Sequence, residues 1–471
     1  MEDRRIYELD IDKIKSDFKF KEDEKIEQGK CNVTHSQSNF FKLLPYTAKD
    51  NEKVLVSKFD GVIGEFSRII CDKQLKDEFN YKEFIENVAD EVEEFEGEES
   101  KQSFKNIIKT MFINDNKLVD FDVKTMNYIV SSSSEEKYAR FLFSIFMDDE
   151  LKEEVKIHYN KEVDNILNKL VLRALPELED KKIKVEKFKC YIPFIKELFK
   201  QDFKFLMSDE ELYKNSIKRF LEYYNMFYIS QLCIKLSKFE NADINIPDPL
   251  YYTLSWESIS KNRTAYTYGY QKLKDPMQSL FSHAINLEFL NHHNLSDQLN
   301  YVELYNLFQE NDSEKIAEEI EELFELYKIR ICDKNWDEFT PSGKSTGNIA
   351  FDKVYKLFEA LEFQFAKSGR SRAYESYKNW FKRFVEDNFG KRRGSLGYSL
   401  NLTEEDIILL TKICINTNEK LKLSVLFEEF EKRGICFDRD SRIKIIALYE
   451  KLNLLEKKSD SGDAQYVKSV L

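Results

Sequence analysis

The sequence contains few of the residues that make tight turns, with only 13 glycines and 7 prolines among 471 residues. Together these two residue types reach about a third of their usual share of roughly 12%. So small a share argues against a sheet-rich fold with many tight turns, and against a collagen-like or proline-rich linker protein. The composition therefore predicts a mostly helical chain.

Cysteines with the spacing of a metal site are also missing. The seven cysteines lie far apart, and even the closest pair, Cys414 and Cys436, has no CxxC arrangement. An odd number of such cysteines predicts reduced thiols in a cytosolic protein. The charged first 30 residues contain no signal-peptide core, and no apolar run is long enough to span a bilayer. We therefore expect a cytoplasmic protein without membrane association.

Motifs for catalysis and cofactor binding are incomplete. Residues 342–346 read SGKST, as at the end of a phosphate-binding loop, but Glu338 occupies the position of the first glycine. The five histidines form neither an HExxH motif nor a zinc finger with cysteines. Asp248, Glu257 and Lys261 approach the pattern of a metal-dependent nuclease but lack its final carboxylate-x-lysine spacing. We predict no metal and no cofactor, and a non-catalytic role is favoured over an enzyme.

Charge is distributed unevenly along the chain. The net charge of −13 would repel a polyanion, so that any contact with DNA must be local. Acidic residues without a base dominate 90–99, which predicts a solvated helix end or, alternatively, a docking site for a basic partner. In 367–393, nine bases minus three acids give a charge of +6, and aromatic residues are interleaved with them. This basic segment is a candidate for DNA contact or for docking on an acidic surface.

Hydrophobic periodicity divides the chain into four segments. Residues 1–150 are predicted to be a mainly helical region that carries the acidic run, and 151–345 a central helical bundle. Within the bundle, Tyr213–Leu232 is predicted to be a long helix with apolar residues nearly all round, as in a helix at the centre of a bundle. The glycine- and proline-containing stretch 332–347 marks the boundary to a basic aromatic helical segment, 346–400.

The last segment, 401–471, has the order of elements found in a winged helix-turn-helix domain. A helix is predicted to begin after Thr403 as its N-cap, with Asp406 at the position of a capping-box acid. A second helix is predicted around Leu423–Phe430 with Gly434 placed to end it, and a third around Ile443–Leu452. Short apolar segments on both sides of 459–463 predict a β-hairpin. The predicted fold class is therefore mostly α, with a multi-helix bundle body and a C-terminal winged helix-turn-helix domain.

The bases that we predict to contact DNA phosphates lie in the last two segments. Twelve bases and thirteen acids in 401–471 give a net charge of −1, which argues against strong independent DNA binding. DNA contact within a larger complex and use of the domain for protein docking therefore have equal weight. The candidate phosphate contacts are Lys382, Arg383, Lys391, Arg392, Arg393, Arg439, Arg442, Lys457 and Lys458.

Several stretches of sequence resemble a known family: Gln201–Leu206 running to Tyr223–Leu232, Leu254–Lys261, Arg393–Leu402 and Asp460–Val467. Over about 200–471 the chain resembles DptG, a subunit of DNA-phosphorothioation-dependent restriction systems. The resemblance implies a role in bacterial antiviral defence, in an assembly that attacks DNA lacking a sulfur mark in its backbone. It implies a non-catalytic subunit beside ATPase and helicase-like partners, with double-stranded DNA as a further partner. A protein-interaction scaffold without DNA contact and a nuclease with an unrecognised site remain the alternatives.

Overall fold

The computed structural model describes residues 5–35, 41–47, 49, 51, 53–76, 79–119, 121–186, 188–366, 368–457 and 465–469. Helices make up 59% of the structure, whereas strands are few and short. None of the helices in these ranges is long and apolar enough to cross a membrane. The mostly helical class predicted from the low glycine and proline content is confirmed.

The N-terminal part consists of short helices with two pairs of short antiparallel strands. The helices are α1 (Ile11–Asp17), α2 (Asp60–Cys71), α3 (Tyr81–Asp90), α4 (Glu98–Phe112), α5 (Ser133–Phe146), α6 (Asp149–Tyr159) and α7 (Ile166–Arg173). The strand pairs are β1 (Lys73–Gln74) with β4 (Glu179–Asp180), and β2 (Ile113–Asn114) with β3 (Lys117–Leu118). Because α2 is buried along nearly its whole length, it forms the centre of this part and packs closely against α5.

The central part is a bundle around one long helix. Its helices are α8 (Pro193–Met207), α9 (Glu210–Lys238), α10 (Thr264–Thr267), α11 (Tyr270–Gln278), α12 (Leu280–Leu290), α13 (Tyr301–Glu310), α14 (Ser313–Arg330), α15 (Ile349–Phe365) and α16 (Ser371–Asn388). The N-cap of α9 is Asp209, whose carboxylate accepts a hydrogen bond from the Leu212 amide. From Phe220 to Leu236 every residue of α9 is buried, so the predicted long helix does lie in the middle of the bundle.

The C-terminal part contains three helices, and most of the strands lie in the second half of the chain. The helices are α17 (Glu404–Ile415), α18 (Leu423–Lys432) and α19 (Arg439–Lys451). The strands are β5 (Leu250–Tyr251), β6 (Thr253–Leu254), β7 (Gly390–Arg392), β8 (Tyr398–Leu402), β9 (Lys420–Lys422), β10 (Ile435–Cys436), β11 (Leu455–Lys457) and β12 (Gln465–Lys468). They form an antiparallel sheet in the order β11-β12-β9, a mixed sheet in the order β6-β8-β7, and the parallel pair β10-β5.

Sequence signals predicted the start of α17 and the end of α18 correctly. Thr403 caps α17, and its hydroxyl and the Asp406 carboxylate exchange hydrogen bonds with each other's backbone amides. Gly434 follows α18 with a φ of +72°, and a Cβ atom there would lie 2.5 Å from the Phe227 ring. Glycine is therefore required both by the backbone conformation and by the close packing on α9. The predicted turn at 459–463 lies outside the described residues.

One main hydrophobic core contains residues from all four predicted segments, and a smaller core lies between α3, α4 and α7. The aromatic residues of the basic segment belong to the main core. Trp380, for example, stacks on Tyr46, and its indole Nε1 donates hydrogen bonds to the carbonyls of Thr47 and Lys49. These aromatic side chains therefore connect α16 to the N-terminal part of the chain and offer no exposed stacking surface.

A buried ion pair connects the three C-terminal helices to the bundle. The Arg433 guanidinium donates hydrogen bonds of 2.8 and 2.6 Å to the two carboxylate oxygens of Asp202 on α8. Both side chains are almost completely buried, at 2% and 0% exposure. The Tyr224 hydroxyl also donates to Asp202, and the Tyr223 hydroxyl donates to the Arg433 carbonyl. The bonds from α9 and Arg433 thus satisfy the buried carboxylate.

Replacement of Asp202 by alanine tests the contribution of this ion pair. Asp202→Ala leaves the Arg433 charge without its main buried partner, and we expect a loss of about 3–5 kcal/mol in the free energy of unfolding. The double variant Asp202→Leu/Arg433→Met removes both charges and should recover much of this loss. Urea denaturation followed by circular dichroism measures both. As a control, Lys457→Ala breaks an exposed pair and should cost below about 1 kcal/mol.

The buried His283 and His293 and the half-buried His35 make the fold sensitive to acid. Burial lowers the pKa of His35 and of His283 to about 3, and that of His293 to about 4. The Nδ1 atom of His283 lies 3.1 Å from the Tyr301 hydroxyl, and its ring stacks on Phe358. The folded protein therefore keeps these imidazoles neutral at pH values at which an unfolded chain would protonate them.

Acidification should destabilise the protein through these histidines. Between the unfolded pKa near 6.5 and the folded pKa near 3, the unfolded state binds more protons, so stability rises with pH in this window. At pH 4.5 the loss should be about 2–3 kcal/mol for His283 alone, and His283→Gln should flatten the pH dependence by that amount. Melting temperatures between pH 7 and 4.5 measure the slope. An unchanged slope in His283→Gln, equal to that of the control His158→Gln, would contradict the prediction.

Candidate nucleic-acid interface

The first two turns of α19 present exposed basic residues. The carboxylate of Asp438 caps α19 by accepting a hydrogen bond from the Ser441 amide. Arg439 and Lys444 are exposed, and neither has an ion-pair partner among the described residues. Between them the side chain of Ile443 is 53% exposed. This surface, formed by Arg439, Ile443 and Lys444, is called the α19 surface below.

Two further candidates next to the α19 surface are engaged in ion pairs. Arg442 donates to Glu431 at 2.6 Å, and its guanidinium lies over the Phe427 ring. Lys457 on β11 donates to Glu450 at 2.6 Å. Because both pairs are about half exposed, each is worth little and can be exchanged for a phosphate at small cost. Lys458 lies outside the described residues.

The three consecutive bases around β7 have different environments. Arg392 is exposed, without an ion-pair partner among the described residues. The Lys391 ammonium donates to the Ser255 carbonyl. Arg393 donates hydrogen bonds to acceptors on β6 and β8 and in the adjoining loop, and desolvation lowers its pKa. Arg393 therefore holds these strands together, and among the three Arg392 is the base that is free for a phosphate.

Lys382 and Arg383 lie on the outer face of α16. Their side chains are 45% and 57% exposed. Lys382 lies 4.0 Å from Glu386, and Arg383 donates to Asp387 at 3.3 Å, both one helical turn further on. Such exposed pairs leave both cations accessible to an anion. Lys382, Arg383, Arg392 and the two bases of the α19 surface are together called the basic surface below.

A buried polar network anchors the N-terminus of α19. The Arg263 guanidinium donates to both carboxylate oxygens of Asp438, at 2.5 and 3.0 Å, and to the Ser441 hydroxyl. That hydroxyl in turn donates to Glu257 at 2.8 Å. Burial alone would raise the pKa of Asp438, but the hydrogen bonds from Arg263 and the backbone keep it below its usual value. The network therefore favours the ionised form of the carboxylate that caps α19.

The loop 253–263, which contains Glu257 and Arg263, also anchors β7 and β8. Arg393 donates to the backbone carbonyl of Glu257, whose carboxylate accepts the bond from Ser441 on α19. This loop thus connects β7, the strand that carries Arg392, with the α19 surface. The sequence gives no sign of this role of Arg263, because nothing in the spacing indicates its partner Asp438, which lies 175 residues further on. Lys261 in this loop is exposed.

The carboxylates considered for a nuclease are paired with cations of the protein itself. Asp248 accepts hydrogen bonds from the ammonium groups of Lys235 and Lys238, which outweigh burial and lower its pKa. Glu257 is paired with Arg263. Nowhere in the described ranges do three or more metal-ligating side chains come together. The geometry thus gives Asp248 and Glu257 a part in packing and gives no support to the nuclease alternative.

Comparison with protein-family models and with curated proteins gives no match for this chain. The basic surface and its anchoring network are therefore the observations on which a functional proposal has to rest.

Replacement of Arg263 tests whether the network fixes the start of α19. Arg263→Ala removes the cation that pairs with Asp438 and Glu257, and we expect a destabilisation of about 2 kcal/mol. Amide hydrogen exchange in 438–445 should become faster, whereas exchange in α9 should change little. The exposed Lys382→Ala is the control. Unchanged exchange at the start of α19 would show that other contacts hold this helix.

Proposed function

We propose that the chain is a non-catalytic subunit of a DNA restriction complex of the DptG type, which binds partner subunits and contacts double-stranded DNA. The observation that carries this proposal concerns two exposed arginines, Arg392 and Arg439. Neither has an ion-pair partner among the described residues. They lie on two elements that are anchored to the same loop, 253–263. Since the loop fixes both elements, the two arginines can bind one DNA backbone without a rearrangement of the fold.

The arrangement of the C-terminal elements supports a winged helix-turn-helix assignment. The elements follow one another as α17, β9, α18, β10, α19, β11 and β12. Apart from β10, which pairs with β5 outside this segment, this order and the three-stranded antiparallel sheet β11-β12-β9 are those expected for this domain. In this assignment α19 is the recognition helix and the β11–β12 hairpin is the wing. Arg439, Arg442 and Lys444 then lie in the first turns of the recognition helix, where such helices contact DNA.

The charge of the chain supports action within a complex. With −13 overall, the protein repels DNA at long range, and a few exposed bases cannot give strong binding alone. ATPase or helicase-like partners of the kind that the family resemblance implies would supply the remaining contacts. The largely exposed acidic run 90–99 between α3 and α4 is the surface that we propose for a basic partner.

A protein-docking role for the α19 surface is the second candidate. The exposed side chain of Ile443 favours it, because an apolar residue surrounded by bases suits a protein interface better than a phosphate backbone. The ion pairs of Arg442 and Lys457 reduce the charge that is available to DNA. In this case the domain would bind a partner subunit and leave DNA contact to that partner.

Removal of the two unpaired arginines tests direct DNA contact. The double variant Arg392→Gln/Arg439→Gln should lower the slope of log affinity against log salt by about 2, because each lost phosphate contact releases about 0.9 fewer counterions. Fluorescence anisotropy with a labelled DNA duplex measures this slope, for the chain alone and for the complex purified with its partners. Arg393 is left intact because it holds β6 and β8 together.

The control for this experiment carries the same change of charge on a distant part of the chain. Lys82 on α3 and Lys117 on β3 are both exposed, so Lys82→Gln/Lys117→Gln should leave the slope unchanged. Equal slopes for wild type and the arginine variant would contradict direct contact. If Ile443→Glu also removed the chain from the complex, the docking role of the α19 surface would be favoured.

A further inference from the structure

A cleft in the N-terminal part of the chain lies apart from the proposed DNA surface. It has a volume of about 460 Å³ and is bordered by α2, by α5, and by the irregular segments 74–76, 130–131 and 181–184. Pockets for small molecules usually measure about 300–1,000 Å³. The side chains around the cleft include six bases and two acids: Lys76, Lys181, Lys182, Lys184, Arg68, Arg140, Glu65 and Glu136.

The floor of the cleft is a rigid network of paired charges. Glu65 is buried and accepts hydrogen bonds from Arg68 at 3.2 Å and from Arg140 at 2.9 Å. Arg68 also donates to the Ile129 carbonyl at 2.7 Å and to the Ser131 hydroxyl at 2.6 Å. These bonds use the donors of Arg68 in several directions at once and fix its position. Together with Glu136, which pairs with Arg140, the floor has no net charge.

The rim of the cleft carries the excess positive charge. Lys181, Lys182 and Lys184 are exposed, and in the described part of the chain no carboxylate lies within ion-pair distance of them. Lys76, also exposed, lies 3.7 Å from the Glu177 carboxylate. The four lysines therefore surround a neutral floor and favour an anionic ligand.

The backbone holds the lysine segment against the cleft. Strand β4 pairs with β1, and directly after it the Lys181 amide donates a hydrogen bond of 2.9 Å to the Asp72 carbonyl. The segment that carries Lys181, Lys182 and Lys184 is thus attached to the end of α2, the helix that supplies Arg68 to the floor. A segment fixed in this way loses less conformational entropy when its lysines bind a ligand.

Apolar side chains complete the lining of the cleft. Leu75, Val130 and Ile183 face it, and Val130 is 51% exposed although it is a large apolar residue. An inorganic anion would make no favourable contact with these apolar side chains, whereas a planar base or a sugar ring would cover them. The combination of several bases with an apolar lining is typical of sites that orient a small ligand with a charged and an apolar end.

We propose that this cleft binds a nucleoside triphosphate, with its phosphates among the rim lysines and its base against Leu75, Val130 and Ile183. The proposal does not depend on DNA binding, because it involves other residues and a ligand of another size. A DNA duplex is too wide to enter a cleft of this volume. The Glu65 and Glu136 carboxylates next to the arginines would repel a phosphate at the floor, which places the phosphates at the rim.

Binding of ATP and GTP to the full chain tests the proposal. Isothermal titration calorimetry should detect binding of ATP or GTP without DNA, and Lys181→Glu/Lys182→Glu should weaken it at least about tenfold by removing charge-assisted contacts. Val130→Asp should weaken ATP or GTP binding but change binding of inorganic tripolyphosphate less. The control Lys82→Glu/Lys117→Glu carries the same charge change on exposed residues of α3 and β3.

Three outcomes would overturn the proposal. The first is absence of binding of either nucleotide at millimolar concentration, and the second is equal affinity of wild type and the Lys181/Lys182 variant. The third is equal binding of ATP and tripolyphosphate with no effect of Val130→Asp, which would reduce the site to a simple anion site. Because the substituted lysines and Val130 are exposed, all variants should keep the melting temperature of the wild type. DNA binding measured in parallel should be unchanged by the cleft variants, so that failure of either proposal is seen separately.

Discussion

The ion pair between Asp202 and Arg433 is the contact on which the position of the C-terminal helices depends. A charge buried to this degree is tolerated only when its partner and its hydrogen bonds are in place, so α18 cannot move away from α8 and α9 without a large cost. Gly434, directly after Arg433, packs on Phe227 of α9 so closely that no side chain fits there. The ion pair and the glycine contact together make the C-terminal helices a fixed part of the bundle and not a tethered module.

This fixed attachment determines which bases can act together. Arg263 holds the cap of α19 through Asp438, and Arg393 holds β6 and β8, so both arginines are used inside the protein. Their internal use is what keeps Arg392 and Arg439 at constant positions on the outside. A surface whose charges are already held in place loses less conformational entropy on binding than one formed by a flexible tail. Arg263 and Arg393 therefore support a proposed DNA contact that they do not make themselves.

The sequence was sufficient for features that depend on neighbouring residues. Thr403 with Asp406, Gly434 after α18 and the apolar centre of α9 were predicted correctly, since caps and periodicity are local signals. The role of Arg393 was not predictable, because three adjacent bases look alike in a sequence and differ only in what folds against them. For the same reason the aromatic residues of the basic segment gave no sign that they belong to the core. The cleft near Arg68 is formed by separate segments between Glu65 and Lys184 and leaves no pattern in the sequence.

The distribution of paired and unpaired cations limits the DNA contact that we propose. Most bases in the described ranges have a carboxylate or a carbonyl next to them, and the acidic excess of the chain acts on every phosphate that approaches. A few unpaired arginines therefore give a local contact that depends strongly on salt and adds little affinity alone. Such a contact becomes effective when partner subunits hold the DNA nearby, because the second binding step is then intramolecular. The net negative charge of the chain is therefore compatible with the proposed role within an assembly, and it argues against strong DNA binding by the chain alone.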